Sequence, residues 1–335
     1  MKTLVIGAGI SGLTAARRLQ ERGHTVTVLD KGRSPGGRVS TRRVVNDDAD
    51  RPELTRLTYD YGAQYFTVRD QRFEAEVRAW HEARIVRVWH GVLAAFDSEG
   101  REAVDDRHAR WVGVPGMSAI PRHLAEGLDV HCHVRVSSLQ RDTRNGTMDW
   151  YANTADGGAF GPFEAVIVAV PSTQAAPLVL GSPALVEAAH GVKMYPCWAT
   201  AVTFEGRVAT RFDAAFVSNS PLGWIARDSS KPGRGLAETW VLHATSSWSV
   251  AHFNDPPEAV SPFLLNAFGD LVPGRLPLPV HVAAHRWWLA CADPPLAIGA
   301  LADEELKLVI CGDWCAGNRI EGAFLSGLEA ADALT

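Results

Sequence analysis

Residues 2–39 read KTLVIGAGISGLTAARRLQERGHTVTVLDKGRSPGGRV, and this stretch decides the fold. Residues 3–6 form a short β-branched and apolar run, the pattern of a buried parallel strand. Residues 11–22 have helical spacing, with Ala16 and Leu19 on one face, and Gly23 stops the helix. Residues 25–29 are a second strand, so the chain opens as a strand–helix–strand unit. Gly7-Ala8-Gly9-Ile10-Ser11-Gly12 is a GxGxxG at the strand-to-helix turn. Gly7 permits the tight turn, Gly9 lets the backbone approach a pyrophosphate, and Gly12 lets the helix pack close to the strand. The helix N-terminus then offers free N–H groups and a positive dipole end to phosphates. Asp30 ends the second strand, where a carboxylate can accept hydrogen bonds from an adenosine ribose. The fingerprint predicts dinucleotide binding but does not by itself separate NAD from FAD.

Further along, residues 46–53 are polar and acidic and read as a surface loop. Residues 72–84 have helical spacing, with Phe73, Val77 and Trp80 on one side. Residues 130–136 and 148–153 alternate like strands, and residues 142–147 join them with Asn145-Gly146 as a hairpin turn. Residues 166–170 form an apolar strand halted by Pro171. The stretch from 190 to 290 carries strand-like runs and tryptophans at 198, 224, 240, 248, 287 and 288. Residues 308–311 are a last buried strand, and residues 322–334 a last helix with Phe324, Leu328 and Ala331 facing inward.

The 335 residues suffice for two packed units, and 46% hydrophobic content supports a sizeable core. A net charge of −5 and a pI near 6.2 leave no broad basic field, so nucleic acid is not an expected partner. Cysteines fall at 132, 197, 291, 311 and 315, with no CxxC and an odd total. That pattern points away from a disulfide scaffold or a structural zinc and toward a reducing cytoplasm. The N-terminal apolar run is broken by Gly7, Gly9 and Gly12 and followed by Arg17 and Arg18. It reads as strand, turn and helix rather than a signal peptide. No other stretch approaches the roughly 18 apolar residues of a membrane span.

Residues 31–39, KGRSPGGRV, set a glycine pair and an arginine just after the acidic strand end. This resembles the flavin amine oxidase superfamily, in which those groups touch the FAD pyrophosphate; Gly36, Gly37 and Arg38 match. Residues 308–323, LVICGDWCAGNRIEGA, resemble the closing flavin motif of the same superfamily. There Asp313 would bond the ribityl chain or a phosphate. The helix at Gly322 would aim its N-terminus at the flavin N1–C2=O edge, where reduced flavin carries negative charge. Within the superfamily, DYGAQYFT at 60–67 looks like the renalases, particularly the short bacterial members. GVPGMSAIP at 113–121, VIVAVP at 166–171, Val241-Leu242-His243 and His285-Arg286-Trp287 agree, so the resemblance spans nearly the whole chain.

The resemblance implies an α/β fold: an FAD-binding Rossmann-like domain of the GR2 type with an inserted mixed α/β substrate domain. The first would be discontinuous, over residues 1–67, 110–172 and 292–335. The second would take residues 68–109 and 173–291 and roof the flavin. It implies non-covalent FAD held at Gly7, Gly9, Ile10, Ser11, Gly12, Asp30, Lys31, Gly37, Arg38, Gln64, Tyr65, Val134, Gly312, Asp313, Glu321, Gly322 and Ala323. It also implies a small dihydropyridine dinucleotide as substrate, the 2- and 6-dihydro isomers of NAD(P)H. The flavin takes the hydride, β-NAD(P)+ leaves, and dioxygen reoxidises the flavin to hydrogen peroxide, a metabolite-repair activity.

The residues themselves fit such chemistry. A dihydropyridine is already a hydride donor and needs a flat slot more than a base. No Ser/His/Asp arrangement, metal cluster or catalytic carboxylate pair is evident, so no acid–base residue is expected. Substrate-pocket candidates are Tyr65, Tyr195, Trp240, His243, Arg286 and Trp288; His243 alternates with Val241 and can face a flavin. There is no second GxGxxG for a separate NAD(P)H domain. Lys193 and Lys231 lack an obvious context for the lysine that many amine oxidases place near flavin N5. Two alternatives stay open: another flavin amine oxidase or desaturase, and a flavin-binding protein without turnover.

Overall fold

The computed structural model describes residues 1–45, 54–96, 102–104, 109–144 and 147–334. Its first layer is a six-stranded sheet around Lys2–Ile6, which pairs in parallel with Thr25–Leu29 on one side and Ala165–Val168 on the other. Asp129–His131 and Leu308–Cys311 extend the parallel sheet at its two flanks, and Ala300–Asp303 closes it antiparallel. Leu4, Val5, Val166, Ile167 and Val309 are fully buried, because both faces of the sheet are covered. Helices Ile10–Glu21 and Ile320–Asp332 pack on one face; a Cβ at Gly327 would lie 2.3 Å from the Ser11 carbonyl oxygen, so only glycine permits this approach. Phe73 and Trp80 of Gln71–Glu82 pack against Phe324, with ring centroids 5.2 and 6.3 Å apart. A three-stranded antiparallel sheet, Val136–Arg144, Thr147–Thr154 and Ala159–Phe163, covers the other face through Trp150 and Phe163.

The second layer is a seven-stranded sheet. Its order is Pro279–Ala292, Met194–Phe204, Glu238–Ala244, Leu222–Arg227, Ala214–Val217, Leu93–Phe96, Glu102–Val104. All neighbours run antiparallel except Ala214–Val217 beside Leu93–Phe96. Helix Pro257–Gly269 covers one face, packing Val260, Leu264 and Phe268 against Val202, Phe204 and Trp240. The opposite face of this sheet lines the cavity described below.

The α/β architecture is the expected one, with local corrections. Residues 130–136 are two elements rather than one strand: Asp129–His131 stays in the parallel sheet, His133 takes φ 61°, and Val136 begins the antiparallel strand that runs on to Arg144. The cause is non-local, since the His133 and Val134 N–H groups donate to Gly32 and Asp30 carbonyls, each at 2.9 Å, and draw the chain out of the sheet. That antiparallel strand pairs with Thr147–Thr154 as a hairpin, while the Asn145-Gly146 turn and the 46–53 loop lie outside the described residues. The last helix starts at Ile320, and helices Ser246–Ala251 and Pro257–Gly269 interrupt the strand-rich stretch. The five cysteines are free thiols, and no described helix is long and apolar enough to cross a membrane.

Gly327→Val forces the two packed helices apart and is expected to cost about 1–3 kcal/mol by urea denaturation. Gly206→Ala, where a Cβ meets nothing within 4 Å, is the control and is expected to stay within about 0.5 kcal/mol.

Candidate active site

At the first turn Gly7 holds φ 108°, and a Cβ there would lie 2.4 Å from the Ala169 carbonyl oxygen. A Cβ at Gly12 would lie 1.9 Å from the Gly7 carbonyl oxygen. Gly9 differs: a Cβ there meets nothing within 4 Å, because it would project into the open cavity that Gly9 lines. The first intrahelical bond runs from Leu13 N–H to Gly9 C=O at 3.0 Å, and no side chain caps the helix. The N–H groups ahead of Leu13 therefore keep their donors for a ligand. Asp30 shapes this cradle, accepting from Ala8 N–H and Gly32 N–H, each at 2.6 Å; its oxygens keep further lone pairs for a ribose.

The two ends of the chain meet here. Arg38 pairs with Asp313 at 2.6 Å and donates to the Ala290 carbonyl at 3.0 Å. The Ser11 hydroxyl donates to the Ala323 carbonyl at 2.7 Å, tying the first helix to the last. Between them lies a cavity of about 380 Å³ lined by Gly9, Ile10, Ser11, Arg38, Gly62, Ala63, Gly312, Asp313, Ile320 and Ala323. The uncapped last helix also opens on it. Uncapped helix ends, an open glycine and an arginine suit a dinucleotide's phosphates.

The far wall is the seven-stranded sheet, contributing Cys197, Gly223, Trp224, His243, Ala244, Trp287, Ala290 and Cys291. One backbone atom organises it. The Tyr61 carbonyl accepts Trp287 Nε1–H at 2.8 Å and His243 Nε2 at 3.1 Å, and the Tyr61 ring stacks on Trp287 at 4.9 Å. A carbonyl can only accept, so His243 carries its proton on Nε2. Burial lowers the His243 pKa to about 4, and the imidazole is neutral near pH 7. Burial raises the Cys197 thiol to about 12, so it stays protonated.

Behind the 60–64 loop lies a sealed ion cluster. Lys231 pairs with Asp228 at 2.7 Å and Asp60 at 3.5 Å, and Arg234 pairs with Asp60. Asp60 also accepts from Thr41 at 2.7 Å and Met117 N–H at 2.9 Å, and Lys231 donates to Gln64 at 3.1 Å. Burial pushes Asp60 up, but Lys231 and Arg234 outweigh it and hold its carboxyl below the ordinary range. Burial and the Asp60 charge raise Asp228 instead.

Several pocket candidates sit elsewhere. Trp240 is fully buried on the opposite face of its strand, beside Arg227 and Phe268. Arg286 lies against Trp198, Phe253 and Trp288 and donates to the Phe253 carbonyl, and Trp288 is 59% exposed. Both are on the far face of Pro279–Ala292, whose cavity face carries Trp287. Side chains alternate along a strand, so Trp240 could not share a face with His243. Tyr195 lies under the Lys193 ammonium at 4.9 Å, outside the lining. Tyr65 packs on Trp224 at 5.3 Å and supports the wall from behind.

Some cofactor candidates also support rather than line the cavity. Gln64 is turned into the ion cluster. The Glu321 carboxylate accepts Arg69 and Asp70 N–H at 2.6 and 2.8 Å, and a Cβ at Gly322 would lie 2.2 Å from the Ala316 carbonyl oxygen. Lys31 reaches Gln174 at 3.0 Å, Val134 bonds Asp30, and Gly37 holds the loop with φ 55°. Sequence reading missed Trp224, Trp287, Cys197 and Cys291. Period-two alternation from His285 was the signal for Trp287; Trp224 lies on a different strand from His243, and only the pairing register brings the two together.

Comparison with known proteins settles the lineage. Residues 5–80 match the NAD(P)-binding Rossmann-like domain, and residues 86–335 match the flavin containing amine oxidoreductase family. The chain belongs to the flavin containing amine oxidoreductase family. Its cofactor is FAD. Among curated relatives, a Lachesis muta L-amino acid oxidase is 34% identical over 93 residues, 25% of this chain and 18% of that protein. A Rubrivivax gelatinosus hydroxyneurosporene desaturase is 42% identical over 104 residues, 30% of this chain and 18% of that protein. The matches thus span about a fifth of these relatives' length. A structure assigned as protoporphyrinogen oxidase from Exiguobacterium sp. 255-15 superposes with a TM-score of 0.72 at 11% identity, covering 99% of this chain and 98% of that one. Wild-type putrescine oxidase bound to putrescine gives 0.69 at 13% identity, with the same coverage. At these identities the likeness shows the fold.

Gly9→Leu is expected to fold but purify colourless, because a Cβ there meets no protein atom within 4 Å and the side chain enters the phosphate cradle; circular dichroism and flavin absorbance check this. Lys231→Met leaves two buried carboxylates short of a cation and is expected to cost about 3–5 kcal/mol by urea denaturation.

Proposed function

We propose that this protein is a renalase-type FAD-dependent oxidase that converts 2- and 6-dihydro isomers of NAD(P) to β-NAD(P)+, delivering the electrons to dioxygen as hydrogen peroxide. The observation that carries the reading is the make-up of the sheet wall. Trp224, Trp287 and a neutral His243 line the cavity, while Lys231 is locked in the buried ion cluster. Such a wall can position a flat ring, and its one histidine, with a pKa near 4, is a weak base near neutral pH. FAD supplies the two-electron acceptor when bound. Arg38, Asp313 and the two helix N-termini would hold it, non-covalently, along the first sheet's edge. The Tyr61 carbonyl fixes Trp287 and His243, and the apolar wall excludes water from the transfer.

This reading divides the chain into an FAD-binding part, residues 1–67, 110–172 and 292–335, and a substrate part, residues 68–109 and 173–291. A cytoplasmic location suits the free thiols. The rival reading is an amine oxidase or desaturase, to which the named relatives point.

Anaerobic stopped-flow decides between them. The 2- and 6-dihydro isomers are expected to bleach the flavin roughly 10²-fold faster than 4-dihydro NADH, since displacing the donor carbon by about an ångström costs that much. With His243 titrating near 4 and Cys197 near 12, the reductive rate is expected to be flat from about pH 6 to about pH 9. Equal rates with all isomers, or steeply pH-dependent bleaching by an amine, would establish the rival.

A further inference from the structure

The wall strand Pro279–Ala292 is the outermost of its sheet and pairs with Met194–Phe204 alone. Near its end Ala290 and Cys291 line the cavity, as Trp287 does. Groups from the cofactor side take the backbone of this end where a further strand would otherwise bond it. Ala292 N–H donates to the Asn318 side-chain oxygen at 2.8 Å, and the Asn318 amide N–H donates back to the Ala292 carbonyl. A backbone N–H only donates and a carbonyl only accepts, so the orientation of the amide is fixed. The side chain stands where the peptide of a neighbouring strand would. Arg38 takes the Ala290 carbonyl at 3.0 Å. Asn318 also lines the cavity and belongs to the loop after Asp313, whose carbonyl accepts the Asn318 N–H at 2.9 Å. It holds φ 54°, directly after Gly317 at φ 98°. Glycine adopts such a backbone most cheaply, and asparagine is one of the few other residues that tolerate it. The amide is what asparagine adds over glycine here. Beyond Ala292 the chain is tied to the same loop independently, by Leu296 N–H to Trp314 C=O at 2.8 Å and Ile298 N–H to Cys315 C=O at 3.0 Å. Removing the amide therefore frees the end of the wall strand without unhooking one layer from the other.

We infer that Asn318 is a positioning residue: its amide fastens the end of the wall strand to the loop that follows Asp313, and so sets the gap between the flavin and the wall. The inference rests on the reading above, in which the substrate ring lies between the two and passes a hydride to the flavin. Asn318 touches neither the ring nor the transferred hydride; it acts through Ala292 and the strand that carries Cys291, Ala290 and Trp287. Hydride transfer needs the donor carbon held in a near-attack pose, so a wall that relaxes outward lets the ring lie productively less often.

The FAD-loaded Asn318→Gly variant keeps the backbone angle and loses both bonds to Ala292. It is expected to retain FAD and to fluoresce more brightly than wild type, because an indole quenches flavin fluorescence by electron transfer that weakens steeply with distance. In a Trp287→Phe background the same substitution is expected to add no further brightness, which assigns the change to that wall. Anaerobic stopped-flow with the 2- and 6-dihydro isomers is expected to show the limiting rate of flavin bleaching falling roughly 10²-fold, with substrate affinity altered far less. Fluorescence that does not rise in Asn318→Gly overturns the inference, as does an equal rise in both backgrounds. Where the isomers bleach wild type, an unaltered limiting rate in the variant overturns it too, since a positioning group acts on the transfer step. Loss of FAD also overturns it, because the amide would then serve the cofactor itself. If the fluorescence responds as expected but the isomers bleach wild type no faster than 4-dihydro NADH, the fastening stands and the oxidase reading falls. If the isomers are preferred and the fluorescence does not respond, the fastening alone falls.

Discussion

Four side chains, two cationic and two anionic, are closed off from water where the two sheets meet: Asp60, Asp228, Lys231 and Arg234. A single charge left unpaired there would carry a desolvation penalty of several kcal/mol, so burial of each of the four depends on its pairing with the others. That arrangement joins the 60–64 loop to the turn between two strands of the second sheet. It thereby sets where the Tyr61 carbonyl points, and the carbonyl in turn orients His243 and Trp287. The wall of the cavity is held by charges that never touch it.

The opposite side of the cavity is built by the two ends of the chain. The Arg38–Asp313 pair and the Ser11–Ala323 bond span 275 and 312 residues of sequence. Both first and last helices begin at the cavity without side-chain caps. Their exposed N–H groups make an electropositive rim that favours phosphate and a reduced, negatively charged ring. The neutral imidazole and protonated thiol of the far wall add no competing charge. One side of the cavity is polar and suited to a cofactor; the other is flat and aromatic and suited to orienting a substrate.

The chain's relation to its family follows the same split. A TM-score of 0.72 at 11% identity shows that the layered architecture survives almost complete replacement of side chains. Layer packing needs apolar residues of fitting size at buried positions, and many sequences meet that demand. Function resides in the particular groups of a site, which fold likeness does not transmit.

The opening strand–helix–strand unit, the GxGxxG turn, Arg38 and the Gly312–Asp313 strand end were legible in the sequence because their geometry is local. A glycine forced by a close approach, or an apolar run buried on both faces, leaves its mark within a few residues. Residues 130–136 misled because their break is imposed by bonds to Gly32 and Asp30, about 100 residues earlier in the chain. Lys231 looked contextless because, apart from Asp228 three residues before it, its partners Asp60 and Gln64 lie 171 and 167 positions away. The choice of Trp287 over Arg286 and Trp288, and of Trp224 over Trp240, was decided by which face of the second sheet turned toward the first. By itself the sequence determined the cradle and the class of cofactor, because one turn and one helix end suffice to bind a phosphate. Only the tertiary structure decided which residues form the aromatic wall of the cavity, because strand alternation offers two equivalent faces until a long-range contact buries one of them.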